Sequence, residues 1–209
     1  MTRRFAELAF TPNVCAQQAR RGSRTQYARM QGADGPPDRL GPDEAGFLEE
    51  ADSCYLATVS ETGWPYVQHR GGPKGFLTVL SPERIAFADF RGNLQYVSAG
   101  NAAGNDRVAL IVMDYVHRNR LKLLGHLHFV DVNEADAEVV RKVSPSGYSA
   151  VVERIAMIDV AAFDWNCPQH ITQRYSRQQV EVMIDSLRAQ IASLEQKLEE
   201  TRGRGSQAD

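Results

Sequence analysis

The sequence predicts a mainly β protein, an antiparallel barrel, closed or nearly closed, with flanking helices and a C-terminal coiled-coil-like helix. Three observations carry that reading. Six or seven β-rich runs follow one another between residues 54 and 163, separated by turns containing Gly, Pro, Ser or Asn. Between them only short stretches have helical character. Beyond residue 176 the apolar residues begin to step by four and three, the spacing of a helix seam.

In chain order, the first 30 residues carry six Arg (3, 4, 20, 21, 24 and 29) against one acid, Glu7. Val14–Met30 is expected to be a helix, with Val14, Ala19 and Tyr27 as a poor apolar stripe. The reading is an arm packed on the domain with its Arg in solvent; the alternative, a nucleic-acid arm, would want further basic support. Gln31–Leu40 holds Gly-Ala-Asp-Gly-Pro-Pro-Asp, a turn-rich linker. Pro42 then suits a helix's first turn, with Asp43 and Glu44 at its positive end and Phe47 and Leu48 as anchors.

The period next changes to two. Cys54–Ser60 is β-rich, Glu61-Thr-Gly63 is a hairpin turn, and Pro65–Arg70 is the return strand. Gly75–Leu80 and Arg84–Asp89 form a second pair around Ser81-Pro82-Glu83. Asn93–Gly100 is a short helix ending on glycine. Arg107–Tyr115 is a continuous apolar run suited to a central strand, Arg120–Val132 a long strand, Glu134–Val143 a helix, and Glu153–Phe163 the last strand.

In the tail, Val180, Ile184, Leu187, Ile191, Leu194 and Leu198 trace a heptad seam. Ile184 and Ile191 take position a and Leu187 and Leu194 position d, the combination that favours two parallel strands. A helix this short is marginal alone, so the seam should pack on a second copy or on its own barrel, with self-association preferred. The expected divisions are therefore an arm and linker (1–40), the barrel (41–175), an amphipathic helix (176–201) and a disordered tail (202–209).

Composition limits the function. The chain has 209 residues, 43% hydrophobic and 24% charged, with a net charge of −2. That balance gives no global reason to expect nucleic acid or an anionic membrane as partner. Cys15, Cys54 and Cys167 are odd in number and far apart, so no disulfide framework is expected and a reducing cytoplasm is the natural compartment. No apolar run approaches a membrane span, and the stretch after Arg3-Arg4 is too short and polar for a signal-peptide core.

The stretch from Gly63 to Asn105 concentrates the chemistry. Arg70, Lys74 and Arg91 lie beside Gly-rich turns, supplying the fixed positive charge and close backbone N–H groups that a phosphate needs. Gln68, Asn93 and Gln95 add amides able to read a polar ring edge. The combination suits flavin mononucleotide (FMN). Each residue also has a plainer reading: Arg70 with Gly71-Gly72 as a surface turn, and Asn93 and Gln95 as caps of the helix that follows. His69 could donate a proton, or it could be a hydrogen-bonded structural histidine. Cys167 and His170 are three apart, but zinc needs four ligands and no second pair of suitable spacing stands near, so no metal is expected.

At Gln68–Gly72, Phe90–Gln95, Arg120–Gly125 and Trp165–Arg174 the chain resembles the pyridoxamine 5′-phosphate oxidase-related proteins, the FMN-binding split β-barrels. The likeness spans about Phe47 to Arg174. It is greatest to a branch carrying His-Arg-Gly-Gly-Pro, Asp-Phe-Arg-Gly-Asn and Asp-Trp-Asn-Cys-Pro-Gln-His. The resemblance implies an FMN site in which Arg70 and Lys74 hold the phosphate, Gln68 and His69 lie beside the ring, and the turn Phe90-Arg91-Gly92-Asn93 completes the phosphate site; Gly71, Asn93 and Gln95 are read as further flavin contacts. It also implies that Trp165 and Arg174 reach the flavin from the partner subunit of a homodimer. Two departures stand out. The Arg-x-His element that grips the vitamin B6 phosphate is replaced by Cys-Pro-Gln-His-Ile-Thr-Gln-Arg-Tyr, which sets vitamin B6 oxidation aside. Pro73 interrupts the strand between Arg70 and Lys74, so solvent is the alternative place for Lys74. The implied activity is an FMN-dependent oxidoreductase acting on a small molecule; the alternatives are a non-catalytic flavin carrier or sensor, and a split barrel binding haem or another nucleotide.

Overall fold

The computed structural model describes residues 2–31, 35–165 and 169–205, the last seven of them by backbone alone. Seven strands form one sheet: β1 (Ser53–Val59), β2 (Pro65–Gly71), β3 (Thr78–Ser81), β4 (Arg84–Phe90), β5 (Arg107–Asp114), β6 (Asn119–Asp131) and β7 (Val152–Trp165). Their order is β2-β1-β5-β6-β7-β4-β3, and every neighbouring pair is antiparallel. The β1–β2 hairpin turns where Gly63 takes φ +84°, a region open to glycine, and donates its N–H to the Ser60 carbonyl at 2.8 Å.

Alternation places the core. On β5, Val108, Leu110 and Val112 are buried, and they meet Leu56, Leu121, Leu123, Phe87 and Ile158 in one cluster. The long strands β6 and β7 pair on both sides of Gly125, where the register shifts by one residue at a bulge. A Cβ at Gly125 would stand 2.5 Å from the Asp159 carbonyl oxygen. A smaller cluster (Ala86, Ala88, Val143, Ile155) packs on the other face of β4 and β7 beneath the helix Ala137–Val143.

The helices depart more from expectation than the strands. They are α1 (Arg3–Ala9), α2 (Pro12–Arg20), α3 (Arg24–Ala28), α4 (Pro42–Glu49), α5 (Val97–Gly104), α6 (Ala137–Val143) and α7 (Arg177–Gly205). The single helix expected over Val14–Met30 is two, because Gly22 adopts φ +79° between them. The N-cap of α2 is Thr11 with Pro12 inside the first turn, and α1 is an additional helix capped by Thr2. Phe5 and Ala6 are buried, and the single Thr2 hydroxyl proton is shared between two acceptors, the Asp38 carboxylate and, at 2.9 Å, the Phe163 carbonyl. Asp38 also accepts the Phe163 N–H at 3.0 Å. The arm is thus hydrogen-bonded to the last strand. Gly32–Asp34 of the expected linker lie outside the described residues.

The chain divides into two compact units. One holds residues up to Asp114 and Arg118–His170, so the arm and the sheet belong together; the other holds Tyr115–His117 and the residues from Ile171 onward. In the second unit Ser176 and Gln179 cap α7 reciprocally, and the helix continues to Gly205, into the stretch expected to be disordered. Val180, Ile184, Leu187, Ile191, Leu194 and Leu198 are all exposed on it. Among the described residues no helix is long and apolar enough to cross a membrane.

Candidate functional site

β2 sorts its residues by alternation. Pro65, Val67 and His69 are exposed on one face, while Tyr66, Gln68 and Arg70 are half-buried on the other. On that inner face Arg70 crosses to β4, where its Nη1 lies 2.5 Å from Asp89 Oδ1. Asp89 is directly opposite Arg154 in the β4–β7 register, and Arg154 Nη2 lies 2.5 Å from Asp89 Oδ2. One carboxylate, its side chain 4% exposed, therefore holds two guanidiniums whose side chains are 15% and 18% exposed. The Nε atoms of both arginines are buried without a hydrogen-bond partner. An unmet buried donor costs about 1–3 kcal/mol, so these atoms favour an acceptor.

The segment after β4 forms the opposite wall. Leu94 (φ +61°) and Tyr96 (φ +51°) both take the left-handed conformation, rare for large side chains and frequent where structure serves a site. Asn93 Oδ1 accepts the Gln95 N–H at 3.2 Å. Tyr96 serves as N-cap residue of α5, and its hydroxyl donates to Glu153 at 3.1 Å. Desolvation and that hydrogen bond push the Tyr96 phenol pKa up. The Arg154 guanidinium lies 5.0 Å from the Tyr96 ring centroid and 4.6 Å from that of Phe129, held between two aromatic faces.

α5 is fixed by polar contacts rather than by a broad apolar face. Asn101 Nδ2 donates to Thr58 Oγ1 at 2.9 Å, both residues buried, which ties the helix to β1. Ser98 Oγ donates to Gln68 Oε1 at 2.8 Å, tying its first turn to β2. These walls enclose a cavity of about 210 Å³ in which Gln68, Arg70, Asn93, Gln95 and Arg154 share the lining with the first turn of α5. Glu153 also lines it, with Arg91 Nε at 3.8 Å. Two guanidiniums, Arg70 and Arg154, and two carboxylates, Asp89 and Glu153, thus line the cavity, and Arg91 adds a third cation beside it. The lining offers guanidiniums, carboxylates, side-chain amides and backbone groups to a ligand.

Of the residues singled out in the sequence, the structure brings Gln68, Arg70, Asn93 and Gln95 together in this cavity. Gly71 ends β2 where a Cβ would stand 3.0 Å from the Asp52 carbonyl oxygen. Arg91 stands at the rim, 61% exposed. Lys74 does not join them: its ammonium pairs with Glu50 at 2.7 Å, the side chain is 70% exposed, and the hydrogen bond to Glu50 raises its pKa. That is the solvent position Pro73 pointed to. His69 points away from Gln68 and Arg70, as alternation requires, and meets Tyr55 edge-on at 5.7 Å. Trp165 donates its indole N–H to Glu44 at 2.7 Å and packs against Phe47 with centroids 4.8 Å apart. Arg174 belongs to the second unit, where its guanidinium lies 4.9 Å from the Tyr115 ring centroid. Cys167 lies outside the described residues, and among those described no group of three or more His, Cys, Asp or Glu is placed to hold a metal.

Sequence reasoning missed Asp89 as the holder of Arg70, and it missed Arg154, Tyr96 and Ser98. The available signal was Glu153-Arg154 opening an otherwise apolar strand, and Asp89 closing another.

Residues 41–164 match the family described as pyridoxamine 5′-phosphate oxidase. HupZ from Group A Streptococcus is similar in structure, with 12% identity, 65% of this chain and 99% of that chain covered, and a TM-score of 0.50. An FMN-binding protein from Syntrophomonas wolfei is also similar, at 12% identity, with 71% and 97% covered and a TM-score of 0.43. No curated protein matches the chain. The HupZ likeness is one of fold. The seven-stranded antiparallel sheet with its flanking helices is a split β-barrel, and the chain belongs to the pyridoxamine 5′-phosphate oxidase family.

Proposed function

We propose that this protein binds FMN in the cavity between β2, β4, β7 and α5, and that it is an oxidoreductase moving hydride or electrons between the flavin and a small molecule. The observation that carries the reading is the convergence of Gln68, Arg70, Asn93 and Gln95 in one cavity, with Arg154 in its lining and Arg91 beside it. The donor set fits the cofactor. Orphaned Arg70 Nε and Arg154 Nε suit a phosphate, and the amides of Gln68, Asn93 and Gln95 suit the polar edge of a ring. A bound FMN would supply the one- and two-electron chemistry. The residues bind and orient it: Arg70 neutralises the phosphate, Gln68 is held in place by Ser98, and the α5 first turn presents backbone N–H groups.

The cavity is smaller than the roughly 300–1,000 Å³ usual for a ligand of this class, so one protomer supplies only part of the site. A homodimer completes it. Tyr55 and Val67 are exposed on the outer face that His69 shares, an apolar surface for the partner, and Trp165 and Arg174 enter the reading as residues contributed across that interface. The compartment is the cytoplasm.

The test is the visible absorption spectrum of the purified protein, with the released chromophore identified after denaturation. Flavin bands and released FMN are expected, and the reduced form should reoxidise with a small-molecule acceptor. A Soret band would instead point to haem. Bound flavin that exchanges no electrons with any donor or acceptor would point to a carrier or sensor.

A further inference from the structure

We infer that Arg154, a residue no motif singles out, is the second phosphate-binding cation of this site, acting with Arg70 in place of Lys74. The inference rests on the flavin reading for the identity of the ligand, but its physical basis is independent of it. Arg70 and Arg154, each less than a fifth exposed, share the buried Asp89 carboxylate, while Glu153, the other carboxylate of the lining, faces Arg91 at 3.8 Å. The Asp89 cluster thus holds two cations on one anion, and a second anion at the cavity wall complements it.

The stereochemistry points the same way. Asp89 engages one nitrogen of each guanidinium, through a different oxygen for each. Each planar fork therefore keeps further N–H groups, and the Nε atoms of both are already dry and unpartnered. A tetrahedral phosphate monoester can accept from both forks at once. The first turn of α5 lines the same cavity, its N-cap residue Tyr96 makes no side-chain cap, and its backbone N–H groups favour the same charge.

Restraint decides between the available cations. Arg154 is fixed by Asp89 and lies between Tyr96 and Phe129, so binding an anion orders little more of it. Arg91 and Lys74, at 61% and 70% exposed, would have to be ordered, and Lys74 would have to leave Glu50.

The experiment uses the full chain with Arg154→Ala, Arg154→Lys and, as comparison, Lys74→Ala. FMN and riboflavin are titrated into each apoprotein, and thermal unfolding is followed with inorganic phosphate against chloride at equal ionic strength. Arg154→Ala should weaken FMN by about ten- to a hundredfold while riboflavin changes less than about threefold, as expected for charge-assisted hydrogen bonds to the phosphate alone. Arg154→Lys, which keeps the charge and loses the fork, carries the test if the alanine variant fails to fold; it should also lower the FMN-to-riboflavin preference. Lys74→Ala should leave that preference unchanged. Phosphate should raise the unfolding temperature of the wild type and not of the Arg154 variants. If the wild type responds to phosphate through Arg154 but takes up no flavin, the flavin reading falls and the anion site stands. If FMN binds and the Arg154 variants lose FMN and riboflavin in equal proportion, or keep the phosphate response, the assignment of Arg154 is overturned and the flavin reading stands. A wild type indifferent to both overturns both.

Discussion

Arg70 reaches Asp89 at 2.5 Å although β1, β5, β6 and β7 lie between their strands in the sheet order. That contact records how far the sheet curls: the β2 edge returns to β4, and the ion pair sits on the seam. The Arg70 guanidinium also stands 6.0 Å from the Phe87 ring centroid, so the pair roofs one end of the apolar core. The same residue thus belongs to the closure of the barrel and to the wall of the cavity.

Replacing Arg70 and Arg91 together with Ala should abolish flavin binding while the protein stays folded. Asp89 keeps Arg154 as a partner, so the loss of stability should be nearer 1–3 kcal/mol than the larger cost of leaving a buried carboxylate alone. Urea unfolding and the absorbance of the purified double variant check both halves. Stoichiometric FMN retained in that variant would remove Arg70 and Arg91 from the phosphate assignment.

Gly125→Ala should destabilise the barrel by about 2–3 kcal/mol. The new Cβ would meet the Asp159 carbonyl oxygen at 2.5 Å and Ile158 Cγ2 at 2.7 Å, both on a rigid neighbouring strand. Denaturant unfolding should show the loss, with a Tm lower by several degrees.

Alkali should expose Cys54. Burial pushes its thiol from the ordinary 9.0 up to about 12, with Arg70 opposing. Below pH 9 the thiol is protonated in both states and the fold keeps its full stability. Between pH 9 and 12 the unfolded chain gives up this proton and the native chain retains it, so stability falls by about 1.4 kcal/mol per pH unit. Cys54→Ala should lack that part of the slope, measured as the difference between the two proteins' urea midpoints across the range. Identical slopes would place the thiol in a wetter setting than described.

Asp38→Ala should release the N-terminal arm without unfolding the sheet. The carboxylate accepts from both the Thr2 hydroxyl and the Phe163 N–H, and its removal should cost about 1–3 kcal/mol. Limited proteolysis should then cut within α1 or α2 well before the barrel, whereas the wild type resists there.

The strands were legible because their signals are local. Alternation and Gly-, Pro- and Ser-containing turns fix where β1, β2 and β4 to β7 lie, to within a few residues. The helices were less so. α1 depends on Phe5 and Ala6 finding a pocket and on Asp38, a residue 36 positions from Thr2, accepting its hydroxyl. α5 begins at Val97, not near Asn93, because Leu94 and Tyr96 take left-handed backbone that no propensity of theirs announces. The cavity was half legible. Gln68, Arg70, Asn93 and Gln95 lie on motifs, whereas Arg154 enters only through its register opposite Asp89, 65 positions away. Alternation alone, applied to β2, would have separated His69 from Gln68.

The rims of the sheet have a bearing on how this protein behaves when concentrated. A free strand edge is a template on which another chain can add, and it is the usual start of aggregation. Here β3, one rim, has only four residues and loses register between Val79 and Ser81. At the other rim, β2 is tied inward through Arg70 and Gln68. Neither rim offers a long flat ladder to a newcomer, so the barrel carries its own protection against fibrous association, and straightening or lengthening β3 is the change that would remove it.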